Sequence, residues 1–225
     1  MLKSIKTENI LFIDIETVSV APDMDSLPDP LRPLWEKKAS YIGKENETPA
    51  DVFKRAGIYA EFGKIVCISA GFIFSKNNER CFRIKSFAGD DEAKILLDFS
   101  AMLEKWHSKG EVVLCAHNGK EFDFPYIARR MIIHSIPLPA MLDVAGKKPW
   151  EVNFLDTLEL WKFGDHKAYT SLNLLAVLLG LSSPKDGIDG SMVTEVYWKE
   201  KDISRIVKYC ENDVLTVARV LLRFK

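Results

Sequence analysis

Asp14-Ile15-Glu16 closes the apolar run Ile10-Leu11-Phe12-Ile13, and two further acidic motifs follow it in the chain. One is Asn118-Gly119-Lys120-Glu121-Phe122-Asp123. The other is Tyr209-Cys210-Glu211-Asn212-Asp213, close to the last residue. Together they offer four carboxylates (Asp14, Glu16, Asp123, Asp213) and the Tyr209 hydroxyl. Two hard cations held by carboxylates can cleave a phosphodiester with no protein nucleophile. The spacing suits that chemistry. Residues two apart on a strand share a face, so Asp14 and Glu16 would point the same way. Neighbouring carboxylates repel unless protonated or bridged by a cation. Tyr209 and Asp213, four apart on a helix, also share a face. Asp213 could then ligate a cation while Tyr209 orients a water.

The elements that must position these groups can be read from periodicity. Residues 9–15 form a buried strand with the first acidic pair at its C-terminal end. A proline-rich, charged stretch, 20–62, is too long for a plain loop. It reads as an insertion with short helices over 31–38 and 49–56. Strands follow over 64–75 and 81–87, the second with period-two alternation, joined by a turn at Lys76-Asn77-Asn78. Asp90 or Asp91 caps a helix running to about His107, with Ile95, Leu96, Phe99, Leu103 and Trp106 on one stripe. Val112 to Ala116 is a short buried strand. A helix from about Phe124 to His134 follows, and Asp123 opens it, near the positive end of its dipole. Gly119 supplies positive φ in the connecting loop. Residues 154–158 begin as a strand. Ser171 caps a helix to Leu179, stopped by Gly180. The last helix runs from about Ile203 to Leu222, with Ile206, Val207, Cys210, Val214, Val217 and Leu221 as its apolar stripe. Prolines and Gly146 break up 138–153. The fold class is α/β, a mixed sheet flanked by helices.

Composition narrows the classes. At 225 residues, 47% of them apolar, the chain can bury one large α/β core. It has no run of 18 apolar residues and no leader-like N-terminus, so the expectation is a cytoplasmic protein without a membrane span. Its four cysteines form no C-x-x-C pair and read as reduced, three of them in the core. A net charge of −1 argues against a protein that coats duplexes through phosphate contacts. It is compatible with an enzyme that holds a few nucleotides.

Around the motifs, Thr17, Asn118 and Phe122 are the candidate substrate contacts, and Phe122 also anchors its turn in the core. His117 is tempting as a general base, but a role touching substrate is the weaker reading. Asp156 reads as a turn or cap residue ahead of a fifth acidic site residue. His107, His134 and His166 lack metal-ligand spacing and read as structural or exposed. Arg129-Arg130, and Lys147-Lys148 beside Trp150, are possible phosphate or base contacts, although such pairs are more often solvated.

Each motif alone is weak; a D-x-E triplet arises by chance about once in a chain of this length. In this order and on these elements, the three motifs resemble those of the DEDD 3′→5′ exonucleases, in the subgroup with a tyrosine in the third motif. Asp14 and Glu16 match the first motif, Asp123 the second, and Tyr209 and Asp213 the third. The likeness is greatest to stand-alone bacterial proteins similar to the proofreading exonuclease domain of family B DNA polymerases. It extends over Lys64 to Ser69, Ser171 to Leu181 and Asp189-Gly190. The resemblance implies a ribonuclease-H-like fold, with residues 1–225 as one exonuclease domain carrying the 20–62 insertion. It implies two divalent metal ions, Mg²⁺ or Mn²⁺, held by Asp14, Glu16, Asp123 and Asp213. The partner would be the 3′ end of a single-stranded nucleic acid, with DNA favoured over RNA. Two other classes stay open: a non-catalytic 3′-end-binding module, and a protein-interaction subunit that docks through 20–62.

Overall fold

The computed structural model describes residues 5–108, 110–165, 169–181 and 188–225. His166 lies outside them. Five strands, β1 (Ile10–Ser19), β2 (Gly63–Lys76), β3 (Glu79–Ala88), β4 (Val113–Ala116) and β5 (Phe154–Asp156), form one mixed sheet ordered β3-β2-β1-β4-β5. β1, β2 and β3 pair antiparallel. β4 lies parallel to β1, and β5 parallel to β4. Asn77 and Asn78 both adopt positive φ (54° and 63°), as a tight two-residue hairpin between β2 and β3 requires.

β1 is longer than its sequence suggests. It continues to Ser19 because β2 pairs with it as far as Gly63. Asp14 and Glu16 therefore lie inside the strand, not at its end. On its other side β1 meets β4 only over Ile10–Phe12. The acidic pair thus begins where β1 loses one neighbour and keeps the other. At Glu16/Thr17 the register shifts: Glu16 faces Cys67, Thr17 faces Ile65, and Val66 is the extra residue of a bulge.

Period two divides the core. Leu11, Ile13 and Ile15 face α3 (Glu92–His107) and α4 (Asp123–Ile133), packing with Leu96, Phe99, Phe124 and Ile127. Ile10 and Phe12 face α8 (Ile203–Phe224) and pack with Val214, Val217 and Leu221. Each of these large side chains contributes about 1.5–3 kcal/mol by leaving water. Asp91, the nearer of the two expected caps, accepts from Lys94 N at 3.0 Å and starts α3.

The 20–62 stretch holds α1 (Arg32–Ile42) and α2 (Pro49–Phe53), the first longer and the second shorter than expected. It closes around fully buried Trp35, whose ring meets Phe53 and Phe62 edge-on at 5.2 and 5.0 Å. Among the described residues three more helices follow: α5 (Thr157–Lys162), α6 (Leu172–Leu178, capped by Ser171) and α7 (Val193–Glu195). α7 runs into a π-turn over Val196–Glu200 that has no sequence signal. Among the described residues, no helix is long and apolar enough to cross a membrane.

A buried ion cluster ties the two helices on the α3/α4 face to the end of the insertion. Glu92, 6% exposed, accepts from Ile65 N at 2.7 Å and from Arg130 Nε and Nη2 at 2.8 and 2.5 Å. His134 Nε2 lies 2.8 Å from Glu92, and Arg130 Nη1 donates to the Ala60 carbonyl. Arg130 is therefore a structural residue and not the phosphate contact considered above. Replacing Arg130 with Met should destabilise the protein by about 3–5 kcal/mol in urea unfolding, because buried Glu92 loses its guanidinium and keeps only the Ile65 amide and His134 as partners. Adding Glu92→Gln should recover part of that loss. If the double variant were less stable than Arg130→Met alone, the cluster would not be the origin of the effect.

Candidate active site

The three acidic motifs converge at the point where β1 and β4 part. Asp14 and Glu16 continue the face of β1 that carries Ile10 and Phe12, so they point toward α8. α8 presents Tyr209 and Asp213 one turn apart. Asp123 comes from the opposite layer, as the first residue of α4. The Ile15 amide lies beyond the last β1–β4 pair, so it lacks a strand partner on that side. Asp123 Oδ1 accepts from it at 3.1 Å. This bond carries the α4 carboxylate around the end of β4 to a point between Asp14 and Glu16.

The second motif is held from behind by Asp156. Its Oδ1 accepts from Asn118 N (2.9 Å) and Leu158 N (2.9 Å), and its Oδ2 from Lys120 N (3.1 Å). Asp156 thus caps α5 and clamps the motif loop. Asn118, not Gly119, takes the left-handed conformation, at φ 61°. Gly119 is required by space: a Cβ there would sit 2.3 Å from the Ala116 Cβ.

Burial and mutual repulsion dominate the electrostatics. Asp14 and Glu16 have pKa values well above the ordinary carboxylate range, first because they are buried. The charges of Asp213 and Asp123 push both further, and Glu16 adds to the shift of Asp14. Asp123 is raised by burial to about 7, against the pull of its hydrogen bonds from Ile15 and its own amide. Asp213 is raised by burial to about 6, offset by hydrogen bonding to Tyr209. The Tyr209 hydroxyl is itself pushed up, by burial and then by Asp213, Glu16 and Asp14. Asp14 Oδ2 is buried without a hydrogen-bond partner. Such an atom is costly unless something else satisfies it.

Asp14, Tyr209 and Asp213 line a cleft of about 510 Å³ together with Tyr169, Leu172, Asn173, Ala176 and Ile188 to Gly190; Glu16 and Asp123 are buried and do not line it. His117 also borders it, with both ring nitrogens engaged: Nδ1 with the Thr157 hydroxyl and Nε2 with the Thr170 carbonyl, each at 2.9 Å. Burial lowers its pKa, so the ring is neutral and has no free nitrogen for base chemistry. Among the candidate substrate contacts, Thr17 hydrogen-bonds the Tyr126 hydroxyl on the α4 side, away from the carboxylates. Phe122 packs against Tyr126, with ring centroids 5.3 Å apart. Asn118 remains in the loop leading to Asp123. Trp150 and Arg129 are exposed, and Lys147 borders grooves other than this cleft. Glu211 of the third motif turns away to accept from the Ser86 hydroxyl at 2.6 Å. Sequence reasoning missed Tyr169 as a wall. It also took Cys210 only as core, although Cys210 is three residues before Asp213 and so on the same side of α8.

The family described as predicted 3′-5′ exonucleases related to the exonuclease domain of PolB matches residues 58–225. The chain belongs to that family. Asp123, Tyr209 and Asp213 lie in the matched segment; Asp14 and Glu16 precede it. Among solved structures, the family B DNA polymerase of the hyperthermophilic archaeon Pyrobaculum calidifontis superposes with a TM-score of 0.54 at 18% identity. That likeness spans 95% of this chain and 24% of the polymerase, and shows the shared ribonuclease-H-like fold. No curated protein matches the chain.

The raised carboxylate pKa values predict how the cation-free protein responds to pH. Unfolded, these groups titrate near 4. Below that value all are protonated in both states, and the cluster costs nothing. From about pH 4 up to the raised native values, the unfolded chain gives up protons that the native cluster still holds, and stability falls. In chelator, the unfolding free energy from urea titration should therefore be higher at pH 5.5 than at pH 7.5, by on the order of 1–3 kcal/mol. Asp14→Asn with Asp213→Asn should flatten that dependence. An equally steep dependence in the double variant would assign it to other groups.

Proposed function

We propose that this chain is a divalent-metal-dependent 3′→5′ exonuclease. It removes nucleoside 5′-monophosphates, one at a time, from the 3′ end of a single-stranded nucleic acid, with DNA favoured over RNA. We read residues 1–225 as one exonuclease domain, with 20–62 as its insertion. The observation that carries the reading is the convergence of four carboxylates from three distant segments: Asp14 and Asp213 line one cleft, and Glu16 and Asp123 are buried within electrostatic reach of them. Two further facts support it: the partnerless Asp14 Oδ2 and the family to which the chain belongs.

The donor set fits hard cations. Carboxylate oxygens suit Mg²⁺ and Mn²⁺, and a doubly charged ion would satisfy both the repulsion and the orphaned oxygen. Asp14, Glu16, Asp123 and Asp213 would hold the ions. When bound, these would supply Lewis-acid polarisation of the phosphate and a more acidic water. The rest is the work of the chain. Tyr209, stationed beside Asp213, orients the attacking water along the line of displacement. The Ile15–Asp123 hydrogen bond holds the second-motif carboxylate against β1, beside Asp14 and Glu16. A cleft of about 510 Å³ would take an unpaired terminal nucleotide. With a net charge of −1, its 31 Lys and Arg balanced by 32 Asp and Glu, the chain has no excess of cationic side chains to hold a long strand. Grip on the terminal nucleotides then predicts distributive action and shallow salt dependence.

Asp14→Ala, Glu16→Ala, Asp123→Ala and Asp213→Ala should each lower hydrolysis by at least about 10²–10³-fold, the loss expected when a transition-state-stabilising group is removed. Each should remain folded by circular dichroism. Tyr209→Phe should lower kcat much more than it changes KM, because the hydroxyl acts on the water and not on substrate affinity. A folded carboxylate variant with near wild-type turnover would refute the site assignment. Weaker binding at unchanged turnover would make Tyr209 a stacking residue.

The polarity is tested with 5′-labelled DNA and RNA single strands, in Mg²⁺ or Mn²⁺, resolved to single nucleotides. The expected products are ladders that shorten from the 3′ end, slowed by a 3′-phosphate and nearly insensitive to salt. Cutting of a circular single strand would instead indicate an endonuclease. Binding of 3′ ends without turnover would indicate a non-catalytic module.

A further inference from the structure

A buried sulfur lies beside the first acidic pair, outside the lining of the cleft. Cys210 is fully buried on α8, and its Sγ and one carboxylate oxygen each from Asp14 and Glu16 all lie within 4.8 Å of one another. Its thiol donates to the Asp14 carbonyl at 3.3 Å and hydrogen-bonds Cys67. Cys67 is itself the cross-strand partner of Glu16, fully buried. A cysteine among valines is by itself core filling. This one lies against two carboxylates, one of which has a buried oxygen without a partner and the other of which is 7% exposed.

We propose that Cys210 Sγ, with Asp14 and Glu16, forms a trap for a borderline or soft divalent cation such as Zn²⁺ or Cd²⁺. Thiolate and carboxylate ligands together suit four-coordinate Zn²⁺ and discriminate against Mg²⁺, which takes oxygen ligands in octahedral array. On capture, the Cys210 S–H bond breaks, its proton passes to solvent and a sulfur–metal bond forms. No oxidant or reductant takes part. The weak bond to the Asp14 carbonyl is given up. Asp14 and Glu16 are then committed to the trapped ion, and hydrolysis stops. The inhibitory consequence rests on the exonuclease reading; the binding does not.

Binding and inhibition are therefore measured separately. The full chain, freed of metal by chelation, is titrated with Cd²⁺ while thiolate-to-cadmium charge-transfer absorption in the ultraviolet is followed. The wild type should develop the band, and excess Mg²⁺ should not abolish it. Cys210→Ser should lose it, with Cd²⁺ affinity falling by at least the ~10–100-fold that loss of even an outer partner costs a metal site. Cys81→Ser should keep the band. If Cys210→Ser fails to fold, Asp14→Asn with Glu16→Gln decides the matter: every thiol remains, yet the band should be lost. A band unchanged in either folded variant, or absent from the wild type, overturns the proposal. In the activity arm, Zn²⁺ should inhibit Mn²⁺-supported hydrolysis. A chain that shows the band but never hydrolyses would sink the exonuclease reading and leave the trap standing.

Discussion

Four acidic side chains share a space from which most water is excluded, and they repel one another. The fold has to hold them there. One hydrogen bond, from the Ile15 amide to Asp123, sets the arrangement. Ile15 stands between Asp14 and Glu16 on β1, past the point where β4 stops pairing. A strand amide without a partner at that depth is unfavourable, and a helix-opening carboxylate satisfies it. The bond that completes β1 also delivers the third acid. The short β4 and the loop clamped by Asp156 follow from the same constraint, since a longer β4 would fill the place that Asp123 takes.

α8 does two jobs with one stripe. Val214, Val217 and Leu221 seal the sheet over Ile10 and Phe12. The preceding turns carry Asp213, Tyr209 and Cys210 over Asp14 and Glu16. Core and cleft are thus continuous: the alternation that sends Ile10 and Phe12 into the core sends Asp14 to the cleft and Glu16 to the buried place beside it. Packing energy on this helix fixes the position of groups that would otherwise push it away.

On the other face, the pairing of Glu92 with Arg130 fixes α4 against α3, β2 and the end of the 20–62 stretch. The start of α4 is where Asp123 sits. The buried ion pair therefore acts on the cleft at a distance, by keeping α4 in register with β1. Tyr126 contributes in the same way, donating to the Gly57 carbonyl at 2.8 Å.

Much of this was legible in the residues alone. Period-two and helical stripes placed every strand and the main helices, and the i, i+2 and i, i+4 spacings placed Asp14 with Glu16 and Tyr209 with Asp213. These are local properties, set by the backbone repeat. What required the tertiary structure was anything that depends on a partner distant in sequence. β1 ran on to Ser19 because β2 was there to pair with it. Arg130, read as a surface cation, was buried because Glu92 came to meet it. Thr17 turned to Tyr126, His117 was consumed by Thr157 and Thr170, Asn118 took the left-handed turn, and Gly119 was required because Ala116 leaves no space for a Cβ. Cys210 looked like one more apolar stripe residue, and only the packing of α8 over β1 set its sulfur beside Asp14 and Glu16. A sequence states what each residue offers; which of those offers is taken up depends on the neighbours that folding supplies.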